Sequence, residues 1–206
     1  MFFSFDREVY EGLKLRKRKT FELKPGISVL VGCNGAGKTT LLNEIRAYCE
    51  RNEIPCKNVD FLKEGSKHTL FRDEYDISWF ATSMICSEGE KTILKLRDVA
   101  RELGSFCTKN KDADSIFILL DALDSGFSID NIVAVKEQLF ATIMNEFESR
   151  GNLYILVSTN DYEFTIGEDC FDVQECKYRR FPTYKVYKNF VIKSREKRDR
   201  LEKKEG

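Results

Sequence analysis

The stretch GCNGAGKTT, residues 32–40, decides the fold. It follows the β-branched apolar run ISVLV, residues 27–31, and opens a segment, 38–51, in which Leu41, Leu42, Ile45 and Tyr48 recur at helical spacing. The run reads as a buried strand and the spacing as a helix. A strand, a glycine-rich turn and a helix form the context in which G-x-x-x-x-G-K-[ST] binds phosphate. Gly32, Gly35 and Gly37 let the backbone curl so that successive N–H groups face one anion. The helix N-terminus adds partial positive charge. Lys38 is placed to reach the β- and γ-phosphates, and the Thr39 hydroxyl to bind Mg²⁺. Asn34, Gly35, Gly37 and Thr40 complete the candidate phosphate-binding set.

Working outward, residues 89–104 read as a helix with Ile93, Leu96, Ala100 and Leu103 on one face. SIFILL, residues 115–120, is a second buried strand, and 129–149 a helix with Ile132, Val135, Leu139, Ile143 and Phe147 in phase. LYILV, residues 153–157, is a third strand; a short strand near 170–175 and a charged helix over 183–203 follow. Residues 53–85 are mixed in pattern. Buried strands alternating with helices predict an α/β protein with a parallel core sheet. Asp121, at the end of the second strand, is the carboxylate expected beside or on Mg²⁺. The plainer reading is an acid that merely ends a strand.

The chain has 206 residues, 42% hydrophobic and 33% charged, enough for one core. Its formal net charge is zero, yet residues 177–206 carry twelve Lys/Arg against four Asp/Glu, a net of +8, so residues 1–176 carry −8. The expected organisation is therefore a head over 1–176 and a basic helix over 177–206, either part of the same domain or a tail. Within it, KYRRFPTYKVYKNF, residues 177–190, interleaves Tyr178, Phe181, Tyr184, Tyr187 and Phe190 with cations. Such interleaving suits phosphate contact with base stacking, or an amphipathic helix that buries the rings and leaves the lysines in water. Seven cysteines without CxxC spacing and a single histidine, His68, argue against a disulfide framework and a zinc site. The start, MFFSFDREVYEG, is charged too early for a secretory signal, and no apolar run approaches the ~20 residues of a membrane span. A cytoplasmic chain is expected.

Two further stretches narrow the class. CSEGEK, residues 86–91, resembles the LSGGQ signature of ABC-type ATPases, with Ser87, Gly89 and Glu90 matching the variant that ends in Glu. Glu88 stands where the first signature glycine is usual, and a simple Ser N-cap is the competing reading. DALDSGFSIDN, residues 121–131, resembles the family's DEPTSALD segment. STND, residues 158–161, resembles its switch motif STHD, with Asn160 at the position of the histidine. The chain is thus similar to an ABC-type ATPase head, a P-loop NTPase fold, of the soluble group related to chromosome-maintenance and DNA-break-repair ATPases. It also resembles small phage and bacterial ABC-type ATPases with an LLDE-x-DSGLS segment. Only 49 positions separate Lys38 from Ser87, so the long coiled-coil arm of the repair ATPases is reduced. The family's Q-loop glutamine is missing, since Gln138 and Gln174 come too late; Asp60 is a candidate for that metal-side role, with an ordinary surface-loop acid the commoner reading.

The resemblance implies ATP and Mg²⁺ as ligands and a head-to-tail homodimer in which Ser87 and Gly89 of one copy meet the γ-phosphate held by the other. It also implies a catalytic glutamate at 122, where this chain has Ala122. Alanine accepts no proton, and loss of a positioned base costs on the order of 10²–10⁴ in rate. The expected protein binds ATP, closes, and hydrolyses poorly. Ala122 fits either a natural pseudo-ATPase or an engineered trap, and retention of the other nucleotide-facing parts favours the trap; Asp124 is a weaker candidate for the base. The expected role lies in nucleic-acid metabolism, with nucleic acid or a protein of DNA metabolism meeting the basic segment. The alternatives are a non-catalytic ATP-dependent interaction module of phage–host type and, with less support, a transporter ATPase subunit.

Overall fold

The computed structural model describes residues 1–4, 20–61, 88–125, 127–141, 143–144 and 152–205. Its centre is a six-stranded sheet. In chain order the strands are β3 (Gly26–Val31), β4 (Cys56–Asp60), β5 (Ile116–Asp121), β6 (Leu153–Ser158), β7 (Asp169–Asp172) and β8 (Lys177–Arg179). Across the sheet the order is β4-β5-β6-β3-β7-β8. Every pair is parallel except β7–β8, which is antiparallel. Two short strands, β1 (Phe2–Ser4) and β2 (Thr20–Glu22), form a separate antiparallel pair. The parallel arrangement puts the carboxyl ends of β3, β4, β5 and β6 on one edge, and the loops from that edge build the site.

The strands are covered on both faces, which is why they read as unbroken apolar runs rather than alternating ones. All six residues of β5 and of β6 are buried. Against one face lies helix α1 (Lys38–Arg51), whose Leu41, Leu42, Ile45 and Cys49 pack with Leu30, Phe117, Leu119 and Leu156 and with Phe3 and Phe21 of the small pair. Against the other lie helix α2 (Glu88–Lys109), through Val99, Leu103 and Cys107, and helix α3 (Ile129–Ala134), through Ile132. Each fully buried Leu, Ile or Phe of these clusters contributes roughly 1.5–3 kcal/mol over an exposed one.

Several elements differ from the expectation. Helix α2 runs to Lys109 rather than 104, and by continuing it brings Cys107 into the core. The helix expected over 129–149 is α-helical over Ile129–Ala134, widens to π-type turns over Val135–Phe140, and is α-helical again at 141 and 143–144. The strand expected near 170–175 is Asp169–Asp172, after which the Asp172 carboxylate accepts the amides of Gln174 and Glu175 and turns the chain into β8. Residues 177–206 supply β8 to the main sheet and helix α4 (Tyr184–Glu205), which packs on the core through Tyr187, Phe190 and Val191. Phe181 and Tyr187 are buried and Tyr178 and Phe190 half-buried, so of the five interleaved aromatics only Tyr184 is exposed, with its ring against that of Tyr162. Among the described residues no helix is long and apolar enough to cross a membrane.

Candidate functional site

The phosphate loop links β3 to α1 as its sequence requires. Gly35 and Gly37 have φ of 77° and 93°, a left-handed backbone that side chains resist. Gly37 stands directly before α1, and the first helical backbone bond runs from Leu41 N–H to Gly37 O. The amides of Lys38, Thr39 and Thr40 therefore lead the helix without intrahelical acceptors. Asn34, Gly35 and Thr39 are exposed, whereas Lys38 is buried.

The Lys38 ammonium donates to Gly32 O at 3.1 Å, Cys33 O at 3.3 Å and Asn160 Oδ1 at 2.9 Å. Burial pulls its pKa below the ordinary lysine value, and Cys33, Asp124 and Asp121 nearby offset part of that pull. Thr39 Oγ1 donates to Asp121 Oδ1 at 3.2 Å. Asp60 is in register with Asp121 at the end of the neighbouring strand β4. A hydroxyl and a carboxylate in contact beside a phosphate cradle are the hard oxygen donors that Mg²⁺ takes, so the residues present fit that ion. Among the described residues no group of three or more His, Cys, Asp or Glu forms a metal cluster.

Asn160 is held from three sides. Its N–H donates to Asp124 Oδ2 at 2.8 Å, its carbonyl accepts the Tyr187 hydroxyl at 2.9 Å, and its side-chain oxygen accepts Lys38. Burial, with Asp124 and Asp161 nearby, pushes the Tyr187 phenol well above its usual range, so it remains a donor. Ala122 follows Asp121 with φ 53°, its N–H 3.4 Å from Ser158 Oγ and its carbonyl accepting Ser125 N–H at 2.9 Å. Its methyl can neither accept nor give a proton.

The structure thus brings together Asn34, Gly35, Gly37, Lys38, Thr39, Thr40, Asp121, Ala122 and Asn160, at loops from three adjacent strands. Ser87 lies outside the described residues, and Gly89 stands in the first turn of α2. Sequence reasoning missed Ser194 and Arg198, and it read Tyr187 as one of the aromatics of the basic segment rather than as part of this site. All three are on α4, and each bonds to a main-chain atom of these loops. A cleft of about 540 Å³ lies between Asn34 and Asn160 on one side and Tyr184, Lys188 and Arg195 of α4 on the other.

The sequence model of the ATPase family associated with various cellular activities (AAA) matches residues 28–171, from β3 through β7. No curated protein and no solved structure matches the chain. The match spans well over half of the sequence and contains the phosphate loop, Asp121 and Asn160, so the chain belongs to the ATPase family associated with various cellular activities and is a P-loop ATPase.

Proposed function

We propose that this ATPase works as an ATP-operated switch of the ABC-type head class. ATP binds at the cradle of Lys38, Thr40 and the loop amides, with Mg²⁺ on Thr39 and Asp121. When bound, the ion neutralises charge on the phosphate oxygens. Two copies then close head to tail, Ser87 and Gly89 of one meeting the γ-phosphate held by the other. The observation that carries the reading is the Lys38–Asn160 contact of 2.9 Å. It sets the residue of the switch position against the cation that a γ-phosphate recruits, so an arriving phosphate competes with Asn160 for Lys38. Hydrolysis in this chain is slow because Ala122 supplies no base.

The basic segment is the surface through which we infer contact with nucleic acid or a protein of DNA metabolism. The burial of Phe181 and Tyr187 makes that contact one of lysines and arginines with phosphates, so it weakens steeply with salt. A phage–host regulatory module with the same ATP-driven closure is the alternative. A transporter subunit is less supported, because the family's Q-loop glutamine is missing.

Light scattering with and without Mg-ATP tests the switch. A monomer becoming a dimer supports it, and a chain that stays monomeric at saturating ATP rejects the signature role of Ser87 and Gly89. One observation favours a second chemical reading. Asp124 holds the Asn160 amide and lies near Lys38, so its carboxylate is a base candidate within the site. Under that reading Asp124→Asn abolishes the residual hydrolysis of the alanine form, whereas an unchanged residual rate returns Asp124 to a positioning role.

A further inference from the structure

Helix α4 meets the phosphate loop and the Asn160 loop at three points outside the phosphate-loop motif. The Tyr187 hydroxyl donates to Asn160 O at 2.9 Å, Ser194 Oγ accepts Cys33 N–H at 2.9 Å, and Arg198 Nη1 donates to Asn34 O at 2.5 Å. Positions 187, 194 and 198 are spaced seven and four apart, so at 3.6 residues per turn they share one narrow face of the helix. We propose that this face is the outer half of the phosphate cradle, with Arg198 as its principal positioning residue.

A trans peptide points its carbonyl and the following N–H in opposite directions, and the described residues contain no cis bond. By gripping Asn34 O from the α4 side, Arg198 turns the Gly35 N–H away from the helix and toward the concave side of the loop, where phosphate sits. The guanidinium is itself fixed: Nε at 3.0 Å and Nη2 at 2.6 Å both donate to Asp199 Oδ1. Its side chain crosses over Gly35 so closely that a Cβ there would lie 3.3 Å from Nη1 and 3.5 Å from Cδ.

Ser194 acts one residue earlier in the loop. Its hydroxyl donates to Gln174 Oε1 at 2.9 Å, and Gln174 Nε2 donates back to Ser194 O at 3.3 Å. With its proton committed to Gln174, the hydroxyl oxygen is left to accept the Cys33 amide. Ser194 and Gln174 are both buried, and buried polar side chains are tolerated when their bonds are made. Here the bonds converge on one loop amide. Plain packing of α4 needs only Tyr187, Phe190 and Val191 against the core; it does not need polar contacts that end on phosphate-loop atoms.

The inference rests on the phosphate-loop assignment and not on dimerisation. Calorimetric titration of the full chain with Mg-ATP tests it, together with melting in the absence of nucleotide. Arg198→Ala is expected to weaken ATP binding by about tenfold, the scale of one charged hydrogen bond, with the nucleotide-free melting temperature held within about 1 °C, a fraction of the shift expected for 1 kcal/mol. Arg198→Lys recovers part of the affinity, because an ammonium also donates to a carbonyl. Asn189→Ala, an exposed change on the same helix, binds as the unaltered chain does. Unchanged affinity in Arg198→Ala overturns the proposal. So does an equal loss in Arg198→Ala and Arg198→Lys that follows a fall in melting temperature, since that is a packing effect. An unaltered chain that takes up no ATP overturns the phosphate-loop assignment together with the brace.

Discussion

Replacing Ala122 by glutamate puts a carboxylate one residue beyond Asp121, on the edge where β3, β5 and β6 deliver their loops. The backbone at 122 is already left-handed, with φ 53°, so the glutamate inherits strain that alanine bears and adds little of its own. The new charge joins Asp121 and Asp124 but also faces Lys38, and its net effect on folding is about 1 kcal/mol or less at a solvent-reached site. The kinetic effect is larger. A positioned general base contributes roughly 10²–10⁴ in rate, or about 2.7–5.5 kcal/mol of barrier at about 1.36 kcal/mol per decade. Steady-state phosphate release with Mg-ATP, measured on both forms, reads this directly. The gain is expected in turnover, because ATP affinity rests on Lys38, Thr39, Asp121 and the loop amides. Under the proposed switch the ATP-bound dimer is expected to live less long, since hydrolysis would remove the phosphate that the reading places between the two copies. If Ala122→Glu folds, binds ATP and dimerises yet turns over no faster, position 122 is not the catalytic one. The engineered-trap account then fails with it, and a natural switch is the better one.

The same residue makes a stability prediction. Ala122→Gly relieves the left-handed backbone and is expected to raise the unfolding free energy by up to about 1 kcal/mol, or about 2–4 °C in melting temperature at this chain length; a fall in melting temperature rejects the strain. Lys38 makes a pH prediction. Bound phosphate favours the charged lysine, so ATP affinity holds through neutrality and falls on the alkaline side, with a midpoint below the ordinary 10.5. Binding measured from pH 7 to 10.5 that shows no fall refutes the lysine's role. In the nucleotide-free protein the sign reverses. The folded pKa is depressed, the unfolded chain binds the extra proton, and stability rises with pH between the folded value and 10.5.

The fold was legible where burial is two-sided. β3, β5 and β6 lie in the middle of the sheet, and their sequences GISVLV, IFILLD and LYILVS carry no alternation to confuse with a surface strand. Helix α1 was equally plain, because its start is fixed by the phosphate-loop motif and its apolar positions repeat every three or four residues. The edges were not. β4 reads CKNVD, with only Val59 buried and the other four half-buried, because an edge strand has a neighbouring strand on one side only. β8, KYR, is too short for any period, and the Asp172 carboxylate rather than an apolar pattern fixes its turn. No residue type announces the π-type turns that follow α3 over Val135–Phe140.

The site divides along sequence separation. Lys38, Thr39 and the loop glycines are adjacent in the chain, Asp121 closes β5 and Asn160 lies two residues beyond β6, so local pattern reaches all of them. Arg198 and Asn34 are 164 residues apart, and no local rule joins them. The signal that existed was periodic. In TYKVYKNFVIKSREKR, the series Tyr187, Val191, Ser194, Arg198 runs down one side of a helix otherwise crowded with charge. A net charge of +8 over 177–206 draws the eye to the solvent face, whereas the residues that touch the phosphate loop are an aromatic hydroxyl, a serine and one of twelve cations. This inverts the weight given to the segment. Its narrow inner face is bonded to the phosphate loop and the Asn160 loop, and under the proposed function its basic face meets a phosphate-bearing partner. A ligand that draws α4 outward must therefore pull on Asn34 and Asn160, and reciprocity requires that ATP, by tightening those loops, alter the affinity of that ligand by the same factor.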